Sequence, residues 1–347
     1  MAYTTIDNGS EHFNTVLWSG DGNTNRTISG VGFQPDWTWI KRRSSTYSHA
    51  LLDSNRGGGK ALGSDNTDAE NTNNNILSSW NSDGFVIALS GVSAFSNTSG
   101  QTYVGWNWKA NGGTTSSNTD GTITSTVQAN TTAGFSIVTY TGTGSASTIG
   151  HGLGSTPDAF FVKSRTNAET WRCWFNSFNG GNNIRLDNTA AVETDTNVWN
   201  NSLPTSTLLN LGSSGSSNGS SQTYVAYCFH SVKGYSKIGK YTGNGSTNGT
   251  FVYTGFRPAF VLFKQSSGTE WWGIIDATRD SVNQGDKYLK ASDSVAEGTG
   301  LNFDLLSNGI KFRHADAAFN GSGSTYIYMA FAEHPFVSSK GVPVTAR

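Results

Sequence analysis

One pattern constrains this chain more than any other, because it occurs three times at fixed spacing. Pro35, Pro157 and Pro258 open the apolar runs PDWTWIK, PDAFFVK and PAFVLFK, and a lysine (Lys41, Lys163, Lys264) closes each run six residues on. Seventeen residues ahead of each proline an aromatic opens a glycine turn: Trp18-Ser19-Gly20-Asp21-Gly22, Tyr140-Thr141-Gly142-Thr143-Gly144 and Tyr241-Thr242-Gly243-Asn244-Gly245. The closing segments SGQTYVGWNW, SSQTYVAYCF and GSTYIYMAF repeat too, with Tyr103, Tyr224 and Tyr326 lying 68, 67 and 68 residues after their prolines. A period of 122 and then 101 residues is too long for a solenoid turn and suits one small domain per copy.

Within each copy, turn signals such as Ser82-Asp83-Gly84, Ser307-Asn308-Gly309 and Asn320-Gly321 separate short apolar runs, as hairpins require. The residues after each proline are apolar at alternate and intervening positions alike: Trp37/Trp39 with Ile40, Phe161 with Phe160/Val162, Phe260/Leu262 with Val261/Phe263. A strand of this kind is expected to be buried on both faces, inside a sandwich on one side and under a neighbouring copy on the other. The expected fold is therefore all-β, with three tandem related antiparallel β-sandwich units over residues 1–112, 113–232 and 233–347. Helical periodicity is weak, and the one short helix the pattern suggests runs from about Asp68 to Leu77.

Charged residues make up 14% of the chain and the net charge is −1, which disfavours nucleic acid as a partner. No run approaches a membrane span, and the N-terminus lacks the basic-then-apolar pattern of a signal peptide, so synthesis in a cytoplasm without export or membrane insertion is expected. Cys173 and Cys228 lie in apolar strand-like surroundings and read as buried free thiols. Histidines 12, 49, 151, 230, 314 and 334 show no metal-ligand spacing, and no nucleophile elbow or phosphate loop is present. No cofactor and no catalytic centre are expected.

A few residues remain as candidates. Asp53/Arg56 and Asp276/Arg279 recur as Asp-x-x-Arg in copies one and three, either as a local ion pair or as a polar anchor for a sugar or partner subunit; copy two offers Trp174-Phe175-Asn176 there, one residue out of step. Trp80, Trp199 and Trp271 fall outside the repeated strand and could stack on sugar faces. Glu193 and Asp195 are the nearest approach to the paired carboxylates of a polysaccharide depolymerase, and Asp65/Asp68/Glu70 to a calcium site. Residues 179–200 of copy two are expected to form a distinct exposed surface. The segment Phe336–Arg347, with Val337, Val342 and Val344, is expected to leave copy three as an extended docking arm.

The triplicated GFxPdwvWiK pattern, the closing YvyWxW strand and the ending Tyr328–Val337 through Gly341–Arg347 resemble a repeat family of virion proteins from marine tailed bacteriophages. The resemblance covers nearly the whole chain, and copy two departs from it at the Asp-x-x-Arg position. It implies lectin-like jelly-roll sandwiches of the concanavalin or laminin-G type. It also implies a non-enzymatic structural role in the virion as a capsid decoration, knob or tail-fibre protein. The partners it implies are other virion proteins and further copies of the chain, a trimer favoured, with carbohydrate-binding host recognition as the alternative.

Overall fold

The repeat strands form where apolar side chains can be buried on both faces at once. The structure, a computed structural model, describes residues 3–343. Copy one contributes β1 (Phe13–Ser19), β2 (Arg26–Ser29), β3 (Trp37–Arg42), β4 (Ala50–Asp53), β5 (Gly84–Ile87) and β6 (Thr102–Trp108). Copy two contributes β7 (Phe135–Thr141), β8 (Ser147–Gly150), β9 (Ala159–Ser164), β10 (Arg172–Phe175), β11 (Leu208–Leu211) and β12 (Thr223–Phe229). Copy three contributes β13 (Ser236–Thr242), β14 (Phe251–Tyr253), β15 (Phe256–Gln265), β16 (Gly273–Asp276), β17 (Gly309–Phe312) and β18 (Thr325–Pro335).

The larger sheets share one strand order: β1-β6-β3-β4, β7-β12-β9-β10 and β13-β18-β15-β16, all antiparallel. A second, smaller sheet in each copy pairs β2 with β5, β8 with β11 and β14 with β17. Register explains the seventeen-residue offset seen in the sequence. It sets Trp18 opposite Tyr103, Tyr140 opposite Tyr224 and Tyr241 opposite Tyr326. Each pair stacks, with ring centroids 5.5, 5.1 and 4.8 Å apart. Pro35 and Pro157 precede their strands, whereas Pro258 lies inside β15 at a register shift, where a missing ladder donor costs least.

Both faces of the larger sheets are buried, as the continuous apolar runs predict. Ile40 and Phe85, and likewise Phe160 and Leu209, pack inside their own copies between the two sheets. The opposite faces meet in one central cluster that draws on all three copies, including Trp37, Trp39 and Trp108, Phe135, Phe161 and Phe229, and Phe260 and Phe331. Three equivalent closing-strand residues come together here. Phe331 lies 5.6 Å from Trp108 and 6.0 Å from Phe229, while Trp37 bridges Trp108 and Phe229 at 4.4 and 5.9 Å. The tandem copies therefore share a core. At about 1.5–3 kcal/mol per large apolar side chain buried, none of these sheets would keep its stability with the shared face exposed to water.

Two expectations need correction here. Residues 68–77 hold a two-residue strand, Asn71–Thr72, and a turn; the short helical turns are instead Thr196–Trp199, Gly215–Asn218 and Ala317–Asn320, each started by a capping Asp or Ser. The described part of the C-terminal segment is not an extended arm. Val337 bridges to Pro343 across a tight turn, and Ser339 donates to Asp7 of the N-terminal segment. Val342 is exposed at the tip of that turn, whereas Val344 lies outside the described residues. Cys173 and Cys228 are both buried and unbridged; one points into the central cluster and the other into copy two's own interior, on opposite faces of one sheet.

Candidate functional site

The polar residues singled out by the repeat lie where copies meet. In copy one the Asp53 carboxylate accepts from Arg56 Nε at 2.5 Å, and its backbone turn is closed by Arg56 N–H to Oδ1 at 2.8 Å. Both side chains are fully buried. Arg56 reaches on to Glu70 at 2.9 Å, and Glu70 receives a two-pronged bond from Arg165 of copy two at 2.9 and 3.0 Å. Tyr227 of copy two donates its hydroxyl to Asp53 at 2.6 Å. Burial opposes the charge on Arg56, yet Asp53, Tyr227 and Glu70 outweigh it and raise the guanidinium pKa. Burial likewise pushes Glu70 up, and the two arginines more than reverse that, holding its carboxyl below the ordinary value.

Copy three makes the same arrangement against copy one. Arg279 donates from Nε to Asp276 at 2.5 Å and from Nη1 to Glu297 at 3.0 Å, Arg43 of copy one grips Glu297 at 2.9 and 2.8 Å, and the Trp106 indole N–H donates to Asp276 at 3.0 Å. Arg43 and Arg165 hold the same place after their prolines, as do Trp106 and Tyr227 after their closing tyrosines. The recurrent Asp-x-x-Arg motif thus anchors a neighbouring copy of the same chain. Asp53, Arg56, Asp276 and Arg279 offer no surface to a sugar.

The seam between copies two and three has the same backbone geometry with different side chains. Strand register puts Phe175 opposite Ala159 as Asp53 stands opposite Trp37 and Asp276 opposite Phe260, so copy two is in step and Phe175 takes the aspartate's place. Three residues on, Phe178 takes the arginine's. The backbone bond Glu70 N–H to Arg165 O, matched by Glu297 N–H to Arg43 O, reappears as Val192 N–H to Ser266 O at 3.0 Å. Met329 replaces Trp106 and Tyr227 on the closing strand. A charged network at two seams is therefore apolar at the third. With contacts from three to one, one to two and two to three, the copies close a ring.

Two further devices recur at the seams. Fourteen residues after each proline stand His49, Trp171 and Trp272, and each ring donates across its seam to a backbone carbonyl: Lys290 at 2.9 Å, Gly63 at 2.7 Å and Arg185 at 2.7 Å. His49 Nδ1 accepts from Trp39 Nε1 at 2.8 Å, which leaves Nε2 to carry the proton toward Lys290; burial lowers its pKa to about 3. The repeated lysines Lys41, Lys163 and Lys264 are fully buried with their amines on backbone carbonyls, and burial lowers each to about 8. Lys41 and Lys163 reach a carbonyl of the next copy (Ser294, Thr67), whereas Lys264 bonds Gly268 of its own.

One repeated residue escaped the sequence reading. Asn97, Asn218 and Asn320 are fully buried, each six residues before its closing tyrosine, and each amide ties the opening glycine turn to the turn before the last strand. The Asn-x5-Tyr spacing was present to be read, but asparagine in a Gly/Ser-rich stretch looks like ordinary turn composition.

The remaining candidates are dispersed. Trp199 is buried, Trp80 is half-buried with its N–H on Thr38 Oγ1, and Trp271 is half-buried, stacked on Tyr288 at 5.0 Å with Lys290 Nζ 5.1 Å from its ring. Trp199 therefore offers no ring face to a ligand, while Trp271 and Tyr288 together line a small hollow. Glu193 is clamped by Arg172 and Arg185, and Asp195 caps a helical turn through Asn197 N–H, so the two carboxylates do separate structural tasks. Residues 179–200 are largely buried or half-buried rather than an exposed surface, because Ile184, Leu186, Val198 and Trp199 pack inward and Val192 docks on copy three. Glu70 of the acidic cluster is spent on two arginines, and Asp65 accepts from His49 N–H. Among the described residues no three metal-capable side chains converge, and no helix is long and apolar enough to cross a membrane.

A family model described as a domain of unknown function, DUF7483, matches residues 8–335, which takes in all three copies. No curated protein matches the chain.

Proposed function

The chain belongs to the DUF7483 family, and we propose that it is a non-enzymatic structural protein of a tailed-bacteriophage virion, a capsid decoration, knob or tail-fibre component that works by assembly and surface display. The observation that carries this reading is the closed ring of three copies around a shared aromatic core. One polypeptide thereby has the arrangement that a homotrimer of single-copy subunits would have, without depending on protomer concentration for its integrity. In this reading each copy is a lectin-like jelly-roll sandwich, and the recurrent acidic and basic side chains are spent on holding the copies together. Homo-oligomers, a trimer among them, are built from this block and are not needed to complete it.

The reading is tested by adding the purified chain to phage particles from which it has been deleted and following co-sedimentation, with mass photometry of the free protein alongside. Saturable binding at a fixed copy number per particle is expected. No association with depleted particles, together with unaltered assembly and infectivity of phage lacking the protein, would end the proposal.

A further inference from the structure

At the seam between copies two and three the N-terminal segment lies beside a groove that no repeated motif accounts for. Two hollows of about 550 and 590 Å³ adjoin there and share Tyr3, Ser231 and Lys233. Their accessible walls carry the hydroxyls of Thr5, Thr131, Thr132 and Ser155, and three cationic or titratable nitrogens line them, from His230, Lys233 and Lys237. No aspartate or glutamate lines either hollow, although acids and bases are nearly balanced in the chain as a whole.

The aromatic side chains are placed beside the cations. Lys233 Nζ lies 4.5 Å from the Tyr3 ring centre and Lys237 Nζ 5.0 Å from that of Tyr253. Tyr3 is fixed by its hydroxyl, which donates to Gly255 O at 2.6 Å, and burial first, then the neighbouring Tyr253, raises its pKa to about 12, so it is a neutral donor at physiological pH. Tyr253 is 49% exposed on β14, and Phe251, on the same side of that strand, is 42% exposed. Lys237 is held by a bond to Tyr253 O at 2.9 Å, so its ammonium is positioned and still has two protons to give. Neither lysine meets a carboxylate in the described ion pairs.

We propose that this groove binds an anionic oligosaccharide, with its acid groups on Lys233 and Lys237, a sugar ring against Tyr253 and its hydroxyls on the serine and threonine walls. Ammonium groups that meet no carboxylate among the described residues supply the charge recognition, a partly exposed aromatic supplies the apolar face, and a wall of short hydroxyls matches a polyhydroxylated ligand. The site goes beyond the assembly role and does not depend on it. It also differs from a site on Trp80, Trp199 or Trp271, none of which lines either hollow.

Isothermal titration with alginate oligosaccharides (carboxylated), carrageenan oligosaccharides (sulfated) and neutral dextran fragments of equal length tests it. The expected result is binding of one or both acidic series, with dextran at least tenfold weaker. Lys233→Gln with Lys237→Gln should weaken acidic binding by tenfold or more, because both charge-assisted bonds to the acid groups are lost. Tyr253→Ala should weaken it less, by roughly five- to tenfold. Both positions are on the rim, so an unchanged melting temperature checks the fold of each variant. Equal affinity for dextran, undiminished binding by the double lysine variant, displacement by inorganic phosphate as effective as by oligosaccharide, or no binding to either acidic series would overturn the proposal.

Discussion

Two seams of the ring are stitched by buried ions and the third by phenylalanine and methionine, although backbone geometry is common to all three. At the first and the ring-closing seams, Asp53, Arg56, Glu70, Arg165 and Tyr227, or Asp276, Arg279, Glu297, Arg43 and Trp106, make a connected network. At the other, Phe175, Phe178, Val192, Ser266 and Met329 stand in the equivalent places, and Phe175 and Met329 are fully buried. All five positions change together. The comparison teaches that the charges are not required by the geometry: an apolar set of suitable volume serves the same contact, in line with the small net worth of a buried ion pair against a hydrophobic replacement. Within one seam, however, a half-converted set would be costly, because it leaves a charge in the core without a partner.

The largest effect should come from making such a half-converted set. Asp53→Ala or Asp276→Ala takes the inner carboxylate from a buried guanidinium and leaves it only Glu70 or Glu297, which should destabilise the chain by about 3 kcal/mol in urea unfolding. Phe175→Ala should cost about as much, but through a cavity. Transplanting the apolar solution separates the two causes. Asp53→Phe with Arg56→Phe and Tyr227→Met should recover most of the loss seen for Asp53→Ala, whereas no recovery would mean that the ions supply something packing cannot.

Next in size is an acid effect confined to one seam, because His49 stands where the other two copies have tryptophan. Its folded pKa of about 3 lies below the ordinary 6.5, so between those values the unfolded chain binds a proton that the folded chain refuses. Stability from this group is complete above about pH 6.5 and falls as pH drops toward 3. By pH 4.5 the loss is on the order of 3 kcal/mol, two pH units at about 1.4 kcal/mol each. Glu70 and Glu297, whose folded values are lowered, add to the decline only below their unfolded value of about 4.5. His49→Gln can keep both hydrogen bonds without titrating. Unfolding free energies measured from pH 7 to 4.5 should therefore be flatter in that variant; an identical slope would show that His49 does not govern this window.

Much of this was legible in the sequence and some was not, for identifiable reasons. Identical offsets of Trp18, Tyr140 and Tyr241 from their prolines disclosed the triplication because sheet register fixes those distances. Burial on both faces could be read from TWIK, FFVK and VLFK, since only a strand covered on both sides tolerates such runs. The closure of the ring could not be read, because apolar strands do not name the surface that covers them. Asp53 and Arg56 were found but their partners Glu70 and Arg165 were not, since these lie far apart in sequence and nothing in local composition joins them. Copy two looked out of step at Phe175 because an aspartate had been sought there, whereas register shows a substitution in place. Nothing in local composition marks Trp199 as core, although its ring packs 4.8 Å from Phe160 between the two sheets of copy two.

A smaller difference should separate the seams at their rims. Arg165→Ala removes both bonds to Glu70 but leaves that carboxylate on Arg56, so about 2 kcal/mol is expected, near the value for a charged hydrogen bond. Ser266→Ala, at the matching position, keeps the Val192 backbone bond and loses only the neutral bond from its hydroxyl to Thr325 O, so about 1 kcal/mol or less is expected. Equal effects at the two positions would contradict the contrast between seams.

The smallest effect, and the finest test, comes from rebuilding the rim pair where it is absent. Val192 and Ser266 already exchange the backbone bond that positions Glu70 and Arg165 at the first seam, so Val192→Glu with Ser266→Arg should place a carboxylate and a guanidinium within reach of each other. The inner arginine is missing there, because Phe178 occupies its place, and the new glutamate would have one cation instead of two. Val192→Glu alone removes an apolar contact with the central cluster and brings in a half-buried charge; Ser266→Arg alone removes a buried hydroxyl that donates to Thr325 O and adds a charge without a carboxylate. A double-mutant cycle in urea should give a favourable coupling of about 0.5–1 kcal/mol, below that of Glu70 with Arg165 measured in the same way. Coupling of zero would show that the backbone bond does not suffice to orient the pair. Coupling as strong as at the native seam would show that the inner arginine contributes little to holding Glu70.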